Sequence, residues 1–142
     1  MFQSQGFQVF NCCIVGLEEP EYAIRYTIKQ AHPNAKLFAA DFVETVKTAI
    51  EEGNDPTQLN PNSFDPMVYA ILQDAPLETL QYLQSIKDND VNKLTHDGRT
   101  YIFWAAYKGN DSFMQYLLDN GAKTDILDDH GLTPLNFAAN AS

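Results

Sequence analysis

The chain is short of nearly everything that catalysis, secretion or membrane insertion requires. It has two cysteines, Cys12 and Cys13, and they are neighbours. Adjacent residues rarely reach the geometry of a mutual disulfide, and two thiols alone do not complete a zinc site. Without a disulfide framework, a reducing compartment and a cytoplasmic location are expected. No Lys or Arg precedes Arg25, and Asn11 with the cysteine pair breaks the early apolar run, so the N-terminus makes a poor secretory signal. No stretch approaches the roughly 20 apolar residues of a membrane-spanning helix. Patterns for phosphate-binding loops, dinucleotide-binding loops, zinc proteases and C-x-x-C redox sites are missing too.

Partial patterns fail on inspection. Asp88-Asn89-Asp90-Val91-Asn92 opens like a calcium loop, but Lys93 stands where glycine is needed and Arg99 where the bidentate glutamate should be. His96 and His130, with Asp97, Asp128 and Asp129, could form a metal site if their turns approached one another. The preferred reading is that they are exposed polar turn residues serving solubility or partner contact. No spacing pairs a nucleophile with a base. The expectation is a protein with no catalytic residues, no metal and no cofactor.

Basic residues are scarce as well: Lys and Arg number 9 against 19 Asp and Glu, a net charge of −10. The imbalance is local. Residues 1–36 sum to zero, with Arg25, Lys29 and Lys36 against Glu18, Glu19 and Glu21. Residues 37–142 carry the other 6 basic and 16 acidic residues, and 6 − 16 = −10. Such a surface repels phosphate backbones and steers a basic partner toward it. Acidic charge also keeps a small domain soluble.

What the chain does have is an internal period. Gly98, Thr100, Ile102, Ala105 and Ala106 recur as Gly131, Thr133, Leu135, Ala138 and Ala139, an offset of 33. Glycine at 98 and 131 suits a turn that feeds a helix. Thr100 and Thr133 are placed to cap the first helix with their hydroxyls, and Pro134 suits its first turn. The small Ala105-Ala106 and Ala138-Ala139 pairs allow close stacking. Gly109 and Gly121 are placed to end successive helices. Phe113, Met114, Leu117 and Leu118 supply the apolar stripe of the second helix. One unit of this kind cannot bury its own faces, whereas several stacked units form a continuous core.

These residues resemble the ankyrin repeat, with its D-G-x-T-P-L-H-x-A-A-x-x-G run, its second helix ending L-L-x-x-G-A and its exposed β-turn. The T-P-L-H box reads Thr100-Tyr101-Ile102-Phe103 and then Thr133-Pro134-Leu135-Asn136. The resemblance is close over 91–139 and degenerate but in phase over 35–90. It implies a mainly α fold: an ankyrin-repeat α-solenoid of helix-turn-helix units over 34–142, with repeats at about 35–60, 61–95, 96–128 and a partial 129–142. In the first repeat Leu37-Phe38-Ala39-Ala40 is expected to form a short first helix, and Phe42 to Ile50 the second. In the next, Pro66 to Ile71 and Leu77 to Leu83 take the two helical places, with Asp65 standing for the threonine and Ala75-Pro76 for the inter-helix glycine. Phe103 and Trp104 are expected in the core, Phe103 where the family usually has a histidine that ties the hairpins together.

Residues 1–33 do not fit the repeat. Phe7 to Leu17 and Tyr22 to Ile28 alternate with period two around Glu18-Glu19-Pro20-Glu21, which predicts a β-hairpin extension. A helix starting at Pro20 is the alternative. At the other end, the final repeat has no second helix, leaving Leu135, Phe137 and Ala138 partly uncovered. A longer array, a minimal cap and an interface all account for that.

The resemblance implies non-catalytic binding of a partner protein on the concave face made by hairpin tips and first helices. By register that face comprises Leu94, His96, Asp97, Arg99, Tyr107 and Lys108. It continues through Asn120, Asp129, His130 and Leu132, and backward through Pro61, Asn62, Phe64 and Gln73. The expected partner is another protein, basic in charge, rather than a nucleic acid or a membrane. Alternatives are a small acidic inhibitor or immunity protein that masks a toxin or nuclease, a fragment of a longer ankyrin scaffold, and self-association through either end.

Overall fold

Where polar turns interrupt the apolar periodicity, helices start and stop. The computed structural model describes residues 39–141, and six α-helices lie within them: α1 (Ala39–Glu51), α2 (Pro66–Leu72), α3 (Leu77–Ser85), α4 (Tyr101–Lys108), α5 (Asp111–Asp119) and α6 (Pro134–Ala141). The anticipated β-hairpin and its helical alternative over 1–33 lie outside the described residues. Ala39 and Ala40 begin the same uninterrupted helix that carries Val46 and Ala49, instead of ending a separate short one. Alanine is the best helix former, and no Gly or Pro follows it before Gly53 to break the turn.

The helices assemble in two layers. Inner helices α2, α4 and α6 pack side by side in chain order, and outer helices α1, α3 and α5 do the same. Inner helices α2 and α4 each pack on the outer helix that follows, α3 and α5. This is a helical solenoid: each hairpin buries its apolar stripe against the next.

The core runs between the layers. Met67, Val68, Ala70 and Ile71 of α2, Leu80 and Leu83 of α3, Tyr101 to Ala105 of α4, and Phe113 and Leu117 of α5 are all buried. Each large side chain removed from water contributes roughly 1.5–3 kcal/mol. Phe103 and Trp104 fall in this core as the register requires. Trp104 also donates its indole N–H to the Thr95 hydroxyl at 2.9 Å, linking α4 to the loop before it. Of the expected stripe on α5, Phe113 and Leu117 are buried and Met114 is half-buried, whereas Leu118 is exposed. Leu135 on α6 is 75% exposed.

Several helix ends follow local chemistry, and Thr100 departs from it. Gly109 takes the left-handed conformation that closes α4, at φ 66°. Thr133 accepts the N–H of Asn136 at 3.2 Å, as a capping threonine should. Thr100 occupies the same place before α4, but its buried hydroxyl has no partner. There the N–H of Phe103 goes to the Thr100 carbonyl at 3.1 Å, a tighter first turn that leaves the side chain idle. Asp65 caps α2 in full: its Oδ1 accepts the N–H of Val68 at 2.8 Å.

Candidate functional site

Three loops precede the inner helices, and all three close in the same way. Asn60, Thr95 and Asp128 each donate a backbone N–H to the carbonyl four residues on, that of Phe64, Arg99 and Leu132, at 2.8, 2.8 and 2.9 Å. The side chain of the opening residue then ties the loop inside. Asn60 Oδ1 accepts from the N–H groups of Asn62 and Phe64, both at 3.0 Å. Asp128 Oδ1 accepts from those of His130 and Leu132, both at 2.9 Å. In the middle loop the Thr95 hydroxyl donates to the Arg99 carbonyl. Short polar side chains bond to their own backbone in this way wherever a turn competes with a helix or strand.

Further bonds lace one loop to the next. His96 Nδ1 lies 2.8 Å from the Asn62 carbonyl oxygen, and its ring stacks on Phe64 at 4.6 Å. Asp129 donates its N–H to the Asp97 carbonyl at 2.9 Å, and His130 Nε2 reaches Asp97 Oδ2 at 3.2 Å. The tight approach is possible because Gly98, at φ 71°, has no Cβ; one added there would sit 2.5 Å from Asp129 Oδ1. Behind the loops an aromatic row follows the inner helices. Phe64 lies 5.7 Å from Trp104, Trp104 meets Phe137 edge-on at 5.6 Å, and Tyr107 lies 5.7 Å from Phe137.

Most of the residues expected on the binding face come together here. Leu94 is 63% exposed, Asp129 and His130 are exposed, and His96, Asp97, Leu132 and Phe64 are half-buried along the loops. At the far end of the inner helices, Tyr107 is exposed, Gln73 caps α2, and Lys108 Nζ pairs with Asp74 Oδ2 at 3.3 Å. Arg99 is placed differently from its expected role. It is buried, its Nε donates to Asp128 Oδ2 at 2.9 Å, and its guanidinium lies 4.0 Å from the centre of the Phe137 ring. A buried guanidinium needs a carboxylate and a ring face more than it needs solvent, so Arg99 braces the loops from behind. Asn120 caps α5 in the outer layer, with its Nδ2 on the Tyr116 carbonyl at 2.8 Å, and does not join the inner row.

Electrostatics at the loops are set by how the cations are held. Burial alone would push the Asp128 carboxyl up. The Leu132 N–H, the Arg99 bond, the His130 N–H and the Arg99 charge outweigh it and hold the group below its usual range. Lys93, read in sequence as the residue that spoils a calcium loop, turns its ammonium inward. It contacts Asp65 Oδ2 at 2.8 Å, Asn89 Oδ1 at 3.0 Å and the Thr57 carbonyl. Tyr101 adds its hydroxyl to Asp65 Oδ2 at 2.6 Å, and burial followed by the Asp65 charge pushes that phenol far up, so it stays an O–H donor. Among the described residues no three His, Cys, Asp or Glu side chains converge as metal ligands. The buried cluster of Asp65, Asn89, Lys93 and Tyr101 joins parts of the chain up to 36 residues apart, and no local signal in the sequence announces it.

No helix among the described residues is long and apolar enough to cross a membrane. Over 98 residues the chain is 28% identical to the palmitoyltransferase AKR1 of the yeast Lachancea kluyveri. That match covers 68% of this chain and 13% of the relative, so the chain spans a small part of that protein's length. A family model of ankyrin repeats in three copies matches residues 67–142, the part of the chain that holds α2 to α6 and the loops between them. The chain belongs to the ankyrin repeat family, whose repeats generally mediate protein–protein interaction.

Proposed function

We infer that this chain is a non-catalytic binding module that presents its laced loops and inner helices as one face to a basic protein partner. The observation that carries the reading is the lacing itself. Loops held by His96 to Asn62, Asp129 to Asp97 and His130 to Asp97 are already in one arrangement before docking. Little ordering entropy is then lost when a partner binds. The basic character of the partner rests on charge: residues 37–142 carry the whole net −10, and two cations near the loops, Lys93 and Arg99, are neutralised by buried carboxylates. Acidic surface of this kind speeds association with a basic target and repels nucleic acid. A cytoplasmic setting fits the lack of a disulfide framework. The similarity to a palmitoyltransferase covers 13% of that protein, and the binding reading does not draw on that enzyme's activity.

Within this face Leu94, His96, Asp97, Asp129 and His130 make the rim, and Tyr107, Lys108, Gln73 and Phe64 the floor. Tyr107 is the expected anchor, an exposed aromatic backed by the Phe137 ring. The test is capture of the partner from the native source, followed by titration with Tyr107→Ala. The variant should keep its melting temperature within a few degrees and bind about thirtyfold more weakly, the fold-change of a hot-spot loss of about 2 kcal/mol. Raising salt should weaken both complexes. An unchanged Kd for a folded variant would contradict the placement of Tyr107 at the interface.

A further inference from the structure

The three loop-opening residues Asn60, Thr95 and Asp128 are each preceded by a leucine: Leu59, Leu94 and Leu127. The offsets are 35 and 33, so the leucines hold one register position on three successive loops while most neighbouring positions vary. Leu94 is 63% and Leu127 59% exposed, and Leu59 is half-buried. Leu94 and Leu127, this open to water, add little to the core, so packing does not account for leucine at those two positions. Single exposed leucines are ordinary on protein surfaces; an in-register row of them is a surface feature.

We propose that the leucine row is the apolar half of a docking ridge for a basic amphipathic α-helix, a proposal that rests on the protein-binding reading above. Spacing selects the helix. Inner helices packed side by side repeat at roughly 8–10 Å, so neighbouring leucines stand about that far apart. A helix repeats one face every seven residues, or about 10.5 Å. Same-face residues on a strand recur at about 6.7 or 13 Å and miss the step. Charge selects the sign. Asp90 lies four residues before Leu94, Asp125 and Asp129 lie two residues either side of Leu127, and all three are exposed. Of the basic residues nearby, Lys93 contacts Asp65 and Arg99 contacts Asp128, both turned inward, while Lys123 is exposed. A ridge of aliphatic tips between carboxylates complements a helix with leucine-sized residues at seven-residue intervals and lysine or arginine beside them.

The probe is a fluorescently labelled synthetic helix with leucine at every seventh position flanked by lysines, titrated by anisotropy into the full chain. Two control peptides keep the lysines, one replacing the leucines with serine and one broken by a central proline. The wild-type chain should bind the leucine helix at least about tenfold more tightly than either control, and Leu94→Ser with Leu127→Ser should remove about that factor. Both sites are exposed, so the double variant should melt like wild type. Equal binding of the leucine and serine peptides would overturn the proposal in favour of charge alone. Equal binding by the double variant would place the contact elsewhere. A wild-type dimer in sedimentation equilibrium that the double variant dissolves would give the row to a second copy of this chain and overturn it as well. If the captured natural partner binds the double variant normally but loses Tyr107→Ala, the helix-docking proposal falls and the protein-binding reading stands.

Discussion

Replacing Asp65 with alanine is expected to destabilise the protein by about 3–5 kcal/mol, the usual result of removing one partner of a buried ion pair. Asp65 has no exposed side-chain surface, and its partner Lys93 is 15% exposed. One carboxylate serves three groups from three places in the chain. It caps α2 through Val68, holds the Lys93 ammonium from the next loop, and accepts the Tyr101 hydroxyl from α4. Alanine would leave the ammonium with Asn89 and the Thr57 carbonyl as neutral partners, and the phenol with the longer 3.3 Å contact to Asn89. Chemical denaturation measures the loss directly. The double variant Asp65→Ala with Lys93→Met should lose less than Asp65→Ala alone, because no unpaired charge remains buried. If Asp65→Ala melted like wild type, the cluster would be incidental to the joining of the α2–α3 and α4–α5 hairpins.

Asp128→Ala is expected to cost about 3 kcal/mol, the lower end of the range for breaking a buried pair. Arg99 would keep Asp97 Oδ2 at 3.3 Å and the Phe137 ring, which is why the loss is smaller than at Asp65. The loop would also lose two N–H acceptor contacts, from His130 and Leu132. This site carries a pH signature. The folded carboxyl lies below its ordinary value, so its contribution is present above the unfolded carboxylate range and is lost as pH falls through the depressed folded value. Asp128→Asn should therefore be less stable at neutral pH and show a shallower loss of stability on acidification. Parallel acid limbs for wild type and variant would mean that the Arg99 pair does not hold the loop.

The parts of this fold that are legible in the sequence are those fixed by a few neighbouring residues. The 33-residue offset from Gly98 to Gly131, the small Ala105-Ala106 pair, Gly109 at a left-handed helix end and Pro134 in a first turn each express a local constraint, and the helices fall where those residues put them. The contacts that decide a side chain's role are long-range, and there reading along the chain stops. Arg99 in an exposed-looking turn is drawn inward by Asp128, 29 residues on, and by Phe137. Lys93 is satisfied by Asp65, 28 residues earlier. Thr100 has the sequence of a cap, yet a tight first turn takes its hydrogen bond, while Asp65, a departure from the pattern, caps more completely than the threonine it replaces. The leucines at 59, 94 and 127 are separated by offsets of 35 and 33, which a single fixed period does not follow.

If recognition belongs to the loops and inner helices of a pre-formed stack, a bound partner should protect those elements and spare the outer layer. Amide hydrogen exchange of the full chain with and without its captured partner tests it most directly. Protection should rise in the loops at 59–64, 94–99 and 127–132 and in α2, α4 and α6, with α1, α3 and α5 unchanged. Protection confined to the outer helices, or spread evenly over both layers, would contradict the account.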